Sequence, residues 1–294
     1  MRSYMGATQP ERKEPQREKK RQANLEIWLP PEFQSSEQKW PLLIFSHGFG
    51  GCAMQSVTLT RYLADHGYIV IAPDHADARC NRGLAGGGIL QSSRSGTRDW
   101  PERPFRNPES WTDKTEADRR DDVLFALSSM LDDRQYKDYV DVERIGLIGH
   151  SLGGYTALGL AGAWPSWRDK RFKAVLAFSP YVGPYIKSRT IGKIGVPVLY
   201  QGATDDIMEI TSDVRKSVYP KTHAPKYFVE LDGADHFAST EMNRDYQNII
   251  DRIALQFFDR YVKGDKKAEI LPEGADKPGR PVNKVKTFWK DEGK

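Results

Sequence analysis

The stretch from Arg144 to Leu160, RIGLIGHSLGGYTALGL, combines a short apolar run, a serine between glycines, and small and apolar residues at helical spacing. This order predicts a buried strand, a sharp turn at Ser151 and a helix. Gly149 and Gly153 stand two residues before and two residues after the serine, where a side chain would collide with the neighbouring strand or helix. Such a turn holds the hydroxyl clear of the sheet and beside the first amides of the helix. The stretch therefore predicts a serine nucleophile.

The glycine and serine pattern is weak evidence on its own. With ordinary glycine and serine contents, about one chain in ten of this length contains it by chance. Without a buried strand before it, a helix after it and partner residues downstream, Ser151 would be an ordinary loop serine. The rest of the chain decides between these two interpretations.

Apolar runs of strand length alternate with amphipathic helices along most of the chain. This alternation implies right-handed crossovers, so the predicted fold class is α/β, with a mostly parallel, doubly wound sheet flanked by helices. Ligands of such sheets bind at the carboxyl ends of the strands. Strands are expected at residues 24–29, 41–45, 68–72, 145–148, 173–178, 196–200 and 227–231, and helices at residues 55–66, 116–131 and 249–261.

The chain is expected to form one domain with polar ends. Residues 23–263 carry the strand and helix pattern, whereas residues 1–22 and 264–294 are polar tails. Residues 82–112 follow no regular pattern, and a loop of this length is usually functional or disordered. They form either a cap or rim near the active-site edge or a solvent-exposed insertion.

Charge and hydropathy exclude several classes of protein. The net charge of +4 comes from interspersed residues of both signs, so no basic stripe predicts a nucleic-acid partner. The apolar runs are too short to cross a bilayer, which predicts no membrane span. No apolar segment follows Met1, so we expect a cytoplasmic protein, or a secreted one whose signal has been removed. The oligomeric state stays open.

The cysteines suggest no covalent or metal-bound framework. Nothing in the placement of Cys52 and Cys80, the only two in the chain, indicates a disulfide or a metal site. Neither lies at a zinc-like spacing from a histidine. We therefore expect no metal and no cofactor.

A serine hydroxyl needs a base to take its proton, and the base needs a third group to orient it. His236 follows the last predicted strand in a short turn at the expected active edge, which makes it the candidate base. The acid is expected in the loop after the preceding strand. Asp205, three residues after the glycine that ends that strand, is the predicted acid. Asp206 is expected to be a solvated neighbour, with Asp232 and Asp235 as weaker alternatives.

The sequence also offers donors for an oxyanion. The glycine-rich loop SHGFGG, residues 46–51, follows a buried strand and lets the backbone approach a ligand closely. Its position predicts that the backbone amides of Phe49 and Leu152 form an oxyanion hole. The Phe49 ring would either contact the substrate or pack in the core. His150, next to the serine, is expected to point away from it.

The motifs SHGFGG, APDH, GHSLGG, GATDD and GADHF together resemble those of the α/β-hydrolase superfamily, from about Asn24 to Lys263. The chain is similar to a branch that holds dienelactone-hydrolase-like proteins, platelet-activating-factor acetylhydrolase-like enzymes and cutinase-type polyester hydrolases. The order of serine, aspartate and histidine along the chain is that of this superfamily. The resemblance implies the same oxyanion amides, Phe49 and Leu152, and a substrate cleft lined by Tyr181.

The resemblance implies a serine carboxylesterase that needs no cofactor and acts through an acyl-enzyme on small to medium ester substrates. On the same residues it leaves open a phospholipid acetyl-ester hydrolase, a polyester hydrolase, a thioesterase or an amidase. An inactive binding module of the same fold is a further alternative.

Three features depart from this branch. Dienelactone hydrolases proper have a cysteine where this chain has Ser151. Secreted polyester hydrolases usually carry a C-terminal disulfide, and this chain has no cysteine after Cys80. The insertion at residues 82–112 would also partly cover the open cleft that such enzymes use on polymers.

Overall fold

The computed structural model describes residues 3–5, 22–33, 35, 37–79, 105, 107–270 and 284–293. A mostly parallel sheet runs through this part of the chain. Its strands are β1 (Ser3–Met5), β2 (Gln22–Trp28), β3 (Trp40–Ser46), β4 (Ile69–Pro73), β5 (Val140–His150), β6 (Phe172–Phe178), β7 (Val198–Asp205), β8 (Lys226–Asp235) and β9 (Val285–Asp291).

The strand order agrees with the doubly wound architecture predicted from the sequence. In space the order is β1-β2-β4-β3-β5-β6-β7-β8-β9. The six strands β3 to β8 are parallel to their neighbours, whereas β2 and β9 are antiparallel to β4 and β8. The eight strands from β2 to β9 form the main sheet, and the short β1 pairs with β2. The α/β-hydrolase fold expected from the sequence is confirmed.

Helices connect the strands and cover both faces of the sheet. They are α1 (Val57–Asp65), α2 (Ala117–Asp132), α3 (Leu152–Leu158), α4 (Gly183–Ser188), α5 (Ile210–Asp213) and α6 (Gln247–Phe258). The three helices expected from periodicity correspond to α1, α2 and α6. The short helices α3, α4 and α5 complete the connections after β5, β6 and β7.

Successive side chains of the central strands enter two different cores. In β3, Leu42 and Ile44 pack in one core with α2 and α3, while Leu43 and Phe45 pack in the other with α1 and α6. All four side chains are 0% exposed. Strands buried on both faces in this way appear in sequence as continuous apolar runs, which is why they were predictable.

The sheet brings the predicted functional loops to one edge. The glycine-rich loop follows β3, Ser151 follows β5, and His236 follows β8. Because these strands are parallel, their carboxyl ends share one edge of the sheet.

Parts of both predicted tails belong to the sheet. In the C-terminal tail, Val285–Asp291 forms β9 and pairs with β8 from Lys226 to Leu231. In the N-terminal tail, Ser3–Met5 forms β1 against β2. Polar composition concealed β9 because an edge strand needs only part of its side chains buried. The assignment of residues 264–294 to a tail is therefore corrected.

Most of the insertion at residues 82–112 lies outside the described residues. Its described end packs against the sheet edge, where the Tyr181 hydroxyl donates to the Phe105 carbonyl at 3.1 Å. The Trp111 ring lies 5.1 Å from the rings of both Tyr155 and Tyr181. This end of the insertion therefore borders the functional edge.

Cys52 is disulfide-bonded, which corrects the expectation that the cysteines form no disulfide. The chain contains one other cysteine, Cys80, which lies outside the described residues. Sequence spacing did not reveal this bond because a disulfide depends on the distance between the two sites in the fold.

Candidate active site

Ser151 occupies the strained turn predicted between β5 and α3. Its backbone has φ 54° and ψ −117°, and α3 begins at the next residue, Leu152. A Cβ atom on Gly149 would overlap the carbonyl of Gly153, and one on Gly153 would overlap the carbonyl of Ser46. Both glycines are thus required by close backbone approach.

His236 is buried beside Ser151 and pairs with Asp206. Its Nδ1 donates to Asp206 Oδ1 at 2.6 Å, and the two side chains are only 4% and 2% exposed. Ser151 and His236 line the same cavity. A histidine whose Nδ1 proton is held by a carboxylate presents its Nε2 lone pair as a base.

The prediction that Asp205 is the acid is wrong in this geometry. Strand β7 does not end at Gly202 but continues to Asp205, which pairs in register with Asp235 of β8 and is exposed. The loop therefore begins at Asp206 rather than directly after Gly202, and the carboxylate that reaches His236 lies one residue after the predicted one. A glycine is a poor marker of a strand end when polar residues continue the pairing.

Hydrogen bonds hold Asp206 as a carboxylate. Oδ1 also accepts the amide of Ile207 at 2.8 Å, and Oδ2 accepts the hydroxyl of Thr211 at 2.8 Å. Burial raises the pKa of Asp206, but hydrogen bonds from His236, Ser179 and Thr211 outweigh burial, so the pKa lies below its ordinary value. The aspartate that caps the turn Ile207–Glu209 is thus also the one that orients His236.

A cavity of about 210 Å³ opens beside Ser151. Phe49 and Tyr181, both expected to contact substrate, line it together with Phe105, which was not among the predicted site residues. The Phe105 ring stands edge-on to Phe49 at 5.6 Å and to Tyr181 at 5.0 Å. Burial raises the pKa of Tyr181 to about 12, so its hydroxyl stays neutral. The remaining described lining residues are Gly48, Gly50, Gly51, Gln55, His150, Ile207, Ile210 and Phe237.

In the sequence, Phe105 is only one aromatic residue among the prolines of the insertion. No periodicity marks residues 101–108, and nothing local connects them to Ser151. The contact between Phe105 and Tyr181 depends on the fold. The position of Phe105 was therefore not predictable from spacing.

The glycine-rich loop turns back on itself between β3 and α1. The Gly51 amide donates to the Gly48 carbonyl at 3.0 Å, and the Gly50 amide donates to Asp77 at 2.8 Å. Buried Arg119 donates to both Asp77 and the carbonyl of His47. These contacts hold the segment that carries Phe49 beside the start of α3. The oxyanion roles of the Phe49 and Leu152 amides remain expectations.

Another set of serine, histidine and aspartate side chains, joined by hydrogen bonds, lies behind this loop. His75 Nε2 is 2.8 Å from Ser46 Oγ, and its Nδ1 is 3.0 Å from Asp122 Oδ2. The three residues, called here the buried triad, are 2%, 3% and 4% exposed. The His75 amide donates to His47 Nε2 at 3.0 Å. Burial, and then the nearby Arg119, lower the pKa of His47 to about 4.

His150 faces the site, contrary to the expectation that it points away. Its Nε2 is 2.8 Å from the carbonyl of His236, and its Nδ1 is 2.9 Å from Nε2 of Gln55. Gln55 Oε1 accepts the Gly48 amide at 3.0 Å. Burial lowers the pKa of His150 to about 3, so the ring is neutral. The residue before Ser151 thus connects the loop after β3 to the loop after β8.

The described residues contain neither a metal-binding cluster nor a membrane-spanning helix. No group of three or more histidine, cysteine, aspartate or glutamate side chains there could hold a metal ion. No helix in the same residues is long and apolar enough to span a bilayer.

Named relatives are similar to the chain over part of their lengths. The platelet-activating factor acetylhydrolase of Cavia porcellus is 27% identical over 61% of this chain and 43% of its own length. The cutinase est2 of Thermobifida alba is 26% identical over 69% of this chain and 54% of its own length. Lipase 1 of Moraxella sp. is 26% identical over 48% of this chain and 40% of its own length. The chain therefore spans about half the length of these curated relatives or less.

Family models match both halves of the chain. The model described as platelet-activating factor acetylhydrolase, isoform II, matches residues 23–83, which include the glycine-rich loop. The model described as PET hydrolase-like matches residues 104–285, which include Ser151, Asp206 and His236. The second match covers more than half of the sequence, and the chain belongs to the PET hydrolase-like family.

Proposed function

We propose that this protein is a serine ester hydrolase of the carboxylesterase type that acts through an acyl-enzyme. The observation that carries the proposal is the hydrogen bond of 2.6 Å between buried His236 and Asp206, beside a serine in a strained turn that lines the same cavity. The family match and the names of the relatives support ester hydrolysis. The Ser151, His236 and Asp206 set is called the site triad below.

The first half of the reaction forms an acyl-enzyme. His236 Nε2 takes the proton of Ser151 Oγ as that oxygen bonds to the ester carbonyl carbon. Asp206 holds the other ring proton and stabilises the imidazolium. The carbonyl oxygen gains the negative charge, and the amides of Phe49 and Leu152 are the proposed donors to it. The ester C–O bond then breaks, and the alkoxide leaves with the proton from His236.

The second half releases the acid. A water molecule gives a proton to His236 Nε2 as its oxygen bonds to the acyl carbon. The bond to Ser151 Oγ breaks, and the proton returns to the serine. The water supplies both the hydroxyl of the product acid and the proton that restores Ser151, so no further reactant is needed.

The cavity suggests the class of ester. Its described lining is aromatic or aliphatic apart from backbone, Ser151, Gln55 and two histidines. A volume of about 210 Å³ suits an uncharged acyl group of small to medium size. Phe49, Phe105 and Tyr181 would contact such a group.

Polyester hydrolysis is a second candidate, favoured by the family match and by the cutinase relatives. Ile207, which lines the cavity, is 47% exposed, so part of the site is open to solvent. The platelet-activating factor acetylhydrolase relatives likewise keep a phospholipid acetyl ester as a candidate substrate. A polymer film, a phospholipid acetyl ester, and matched thioesters and amides would be assayed in parallel.

The first experiment measures hydrolysis of p-nitrophenyl esters of graded acyl length by the wild type and by Ser151→Ala. We expect turnover of short and medium chains that disappears in the variant. Turnover that survives Ser151→Ala would show that another group is the nucleophile. Absence of turnover on every substrate in the panel would favour a binding module on this fold.

A further inference from the structure

The hydrogen bonds around His150 have only one consistent assignment. A backbone amide can only donate, so Gly48 requires the oxygen of the Gln55 side chain to face it. The Gln55 amino group therefore faces His150 Nδ1 and donates to it. A nitrogen that accepts has no proton, so the proton of the neutral ring lies on Nε2. That nitrogen faces the His236 carbonyl, which can only accept.

Packing makes this arrangement specific. Gln55 is 3% exposed and His150 is 2% exposed. A Cβ atom on Gly48 would come within 2.8 Å of His150 Nδ1, and one on Gly51 would overlap the Gln55 carboxamide oxygen. The two glycines of the loop leave the space that this side-chain pair fills. The pair is thus built into the loop rather than resting on its surface.

We propose that Gln55 is a positioning residue, which holds His150 in its neutral Nε2–H form and, through His150, fixes the distance between His236 and the glycine-rich loop. This inference rests on the proposed function, since the reaction it serves is the one assigned to the site triad. Gln55 acts through other groups: one end of its carboxamide binds the loop that carries Phe49, and the other binds the ring that holds His236.

The neutral form of His150 also matters for charge. The centres of the His150 and His236 rings are 4.8 Å apart. His236 becomes a cation during each half of the reaction, and a second cation at that distance would oppose it. The titratable groups that face His150 are His236 and Asp206 from the loops after β8 and β7, and His47 from the loop after β3. The Gln55 amino group occupies the Nδ1 lone pair where a second proton would bind.

The first variant, Gln55→Leu, keeps the approximate shape of the side chain and removes both hydrogen bonds. We expect kcat on a short p-nitrophenyl ester to fall by about tenfold to a hundredfold, as for a small displacement of a reacting group, with KM changed less than about threefold. Gln201→Leu is the matched control. Gln201 is 6% exposed, its amino group donates to the Gly202 carbonyl, and its side chain lies outside the cavity. The control should keep kcat within about twofold.

The second variant, Gln55→Glu, separates positioning from simple packing. While the new carboxyl group and the His150 ring share one proton, the chain of hydrogen bonds is complete and kcat stays near that of the wild type. When rising pH removes that proton, two lone pairs face each other and kcat falls. We expect this alkaline loss in Gln55→Glu and not in the wild type or in Gln55→Leu. A Gln55→Glu profile that matches the wild type would overturn the proposal.

A readout that is independent of turnover tests the ring itself. In protein labelled with ¹⁵N-histidine in the Ser151→Ala background, the His150 nitrogens report which one carries the proton. We expect the His150 ring to be neutral, with its proton on Nε2, between pH 5 and 8. Adding Gln55→Glu should change which His150 nitrogens carry a proton. A proton on Nδ1 at neutral pH would contradict the inference, as would a kcat of Gln55→Leu within twofold of the wild type. Melting temperatures of both variants identify loss of folding.

Failure of the proposed function gives a different result. In that case the wild type does not hydrolyse the esters, or Ser151→Ala still does, whereas the ¹⁵N spectrum still decides the state of His150. If turnover depends on Ser151 but Gln55→Leu does not lower kcat, only the role of Gln55 is refuted.

Discussion

The molecule contains the same three residue types, hydrogen-bonded or placed together, at two sites with different surroundings. The buried triad of Ser46, His75 and Asp122 is enclosed behind the glycine-rich loop, and its serine ends β3 with its side chain in the interior. The site triad places Ser151 in a strained turn that lines a cavity. The two sets contain the same side-chain types, so the observed difference between them is that Ser151 lines a cavity whereas Ser46 is enclosed. A histidine between a serine and an aspartate is therefore not by itself an active site.

The sharpest test of this comparison replaces each serine in turn. Ser151→Ala should lower kcat by about 10⁶-fold, because nucleophile and base act as a unit. Ser46→Ala should leave kcat within about threefold and lower only stability, because its hydroxyl is occupied by His75. Steady-state kinetics on a p-nitrophenyl ester check both. An equal loss of activity in the two variants would mean that the buried triad takes part in the reaction.

The second test separates the adjacent aspartates. Asp206→Asn should lower kcat by about 10⁴-fold, because an amide at this place favours the wrong histidine tautomer. Asp205→Asn is the matched control at the next residue, and its exposed carboxylate can be lost with an effect below about twofold. If Asp205→Asn proved the more damaging change, the original sequence prediction would be restored.

Lowering the pH should destabilise the protein through one histidine behind the glycine-rich loop and one histidine beside the cavity. The pKa values of His47, behind the glycine-rich loop, and of His150, beside the cavity, are lowered to about 4 and about 3. Between those values and the unfolded value near 6.5, the unfolded chain binds more protons. The free energy of unfolding therefore falls as pH decreases from about 6.5 toward 4, by up to about 1.4 kcal/mol per pH unit for each histidine.

Urea unfolding at stepped pH measures that slope. His47→Gln should make the slope shallower, whereas His223→Gln, which changes an exposed ring, should not alter it. A slope that is identical in the wild type and in His47→Gln would show that His47 contributes no acid sensitivity.

The smallest expected effect concerns the aspartate of the buried triad. Asp122→Ala removes the carboxylate that accepts from His75 at 3.0 Å, which should cost about 2 kcal/mol of stability. Activity at a temperature well below the melting point should be retained. Chemical denaturation and an esterase assay on the same sample check this pair of expectations. Inactivation without a loss of stability would move Asp122 into the functional machinery.

Much of the fold could be predicted because its central strands are buried on both faces. The strands β3, β4 and β6 contain continuous apolar runs, and Ser151 follows a run of this kind in β5. The strand β9 was missed because its lysines, aspartate and threonine resemble a solvated tail. Edge strands of this composition have no pattern that separates them from polar loops.

The errors within the site have the same origin. Asp206 was missed because polar residues extend β7 beyond the glycine taken as its end. The orientation of His150 depends on Gln55, 95 residues away in sequence, and the contact of Phe105 with Tyr181 spans 76 residues. Such contacts exist only once the sheet has assembled. Sequence patterns located Ser151 and His236, and tertiary structure decided which neighbours surround them.

The pairing of β9 with β8 has a consequence for solubility. Strand β8 ends next to His236, and β9 covers its outer edge from Lys226 to Leu231. Without that cover, unpaired amides and carbonyls beside Phe228 and Leu231 could pair with another chain and begin aggregation. With β9 in place, β9 forms the border of the sheet, and its exposed charged side chains oppose pairing with another chain. Removal of residues 285–291 would therefore place β8, the strand that ends next to His236, at the open border of the sheet.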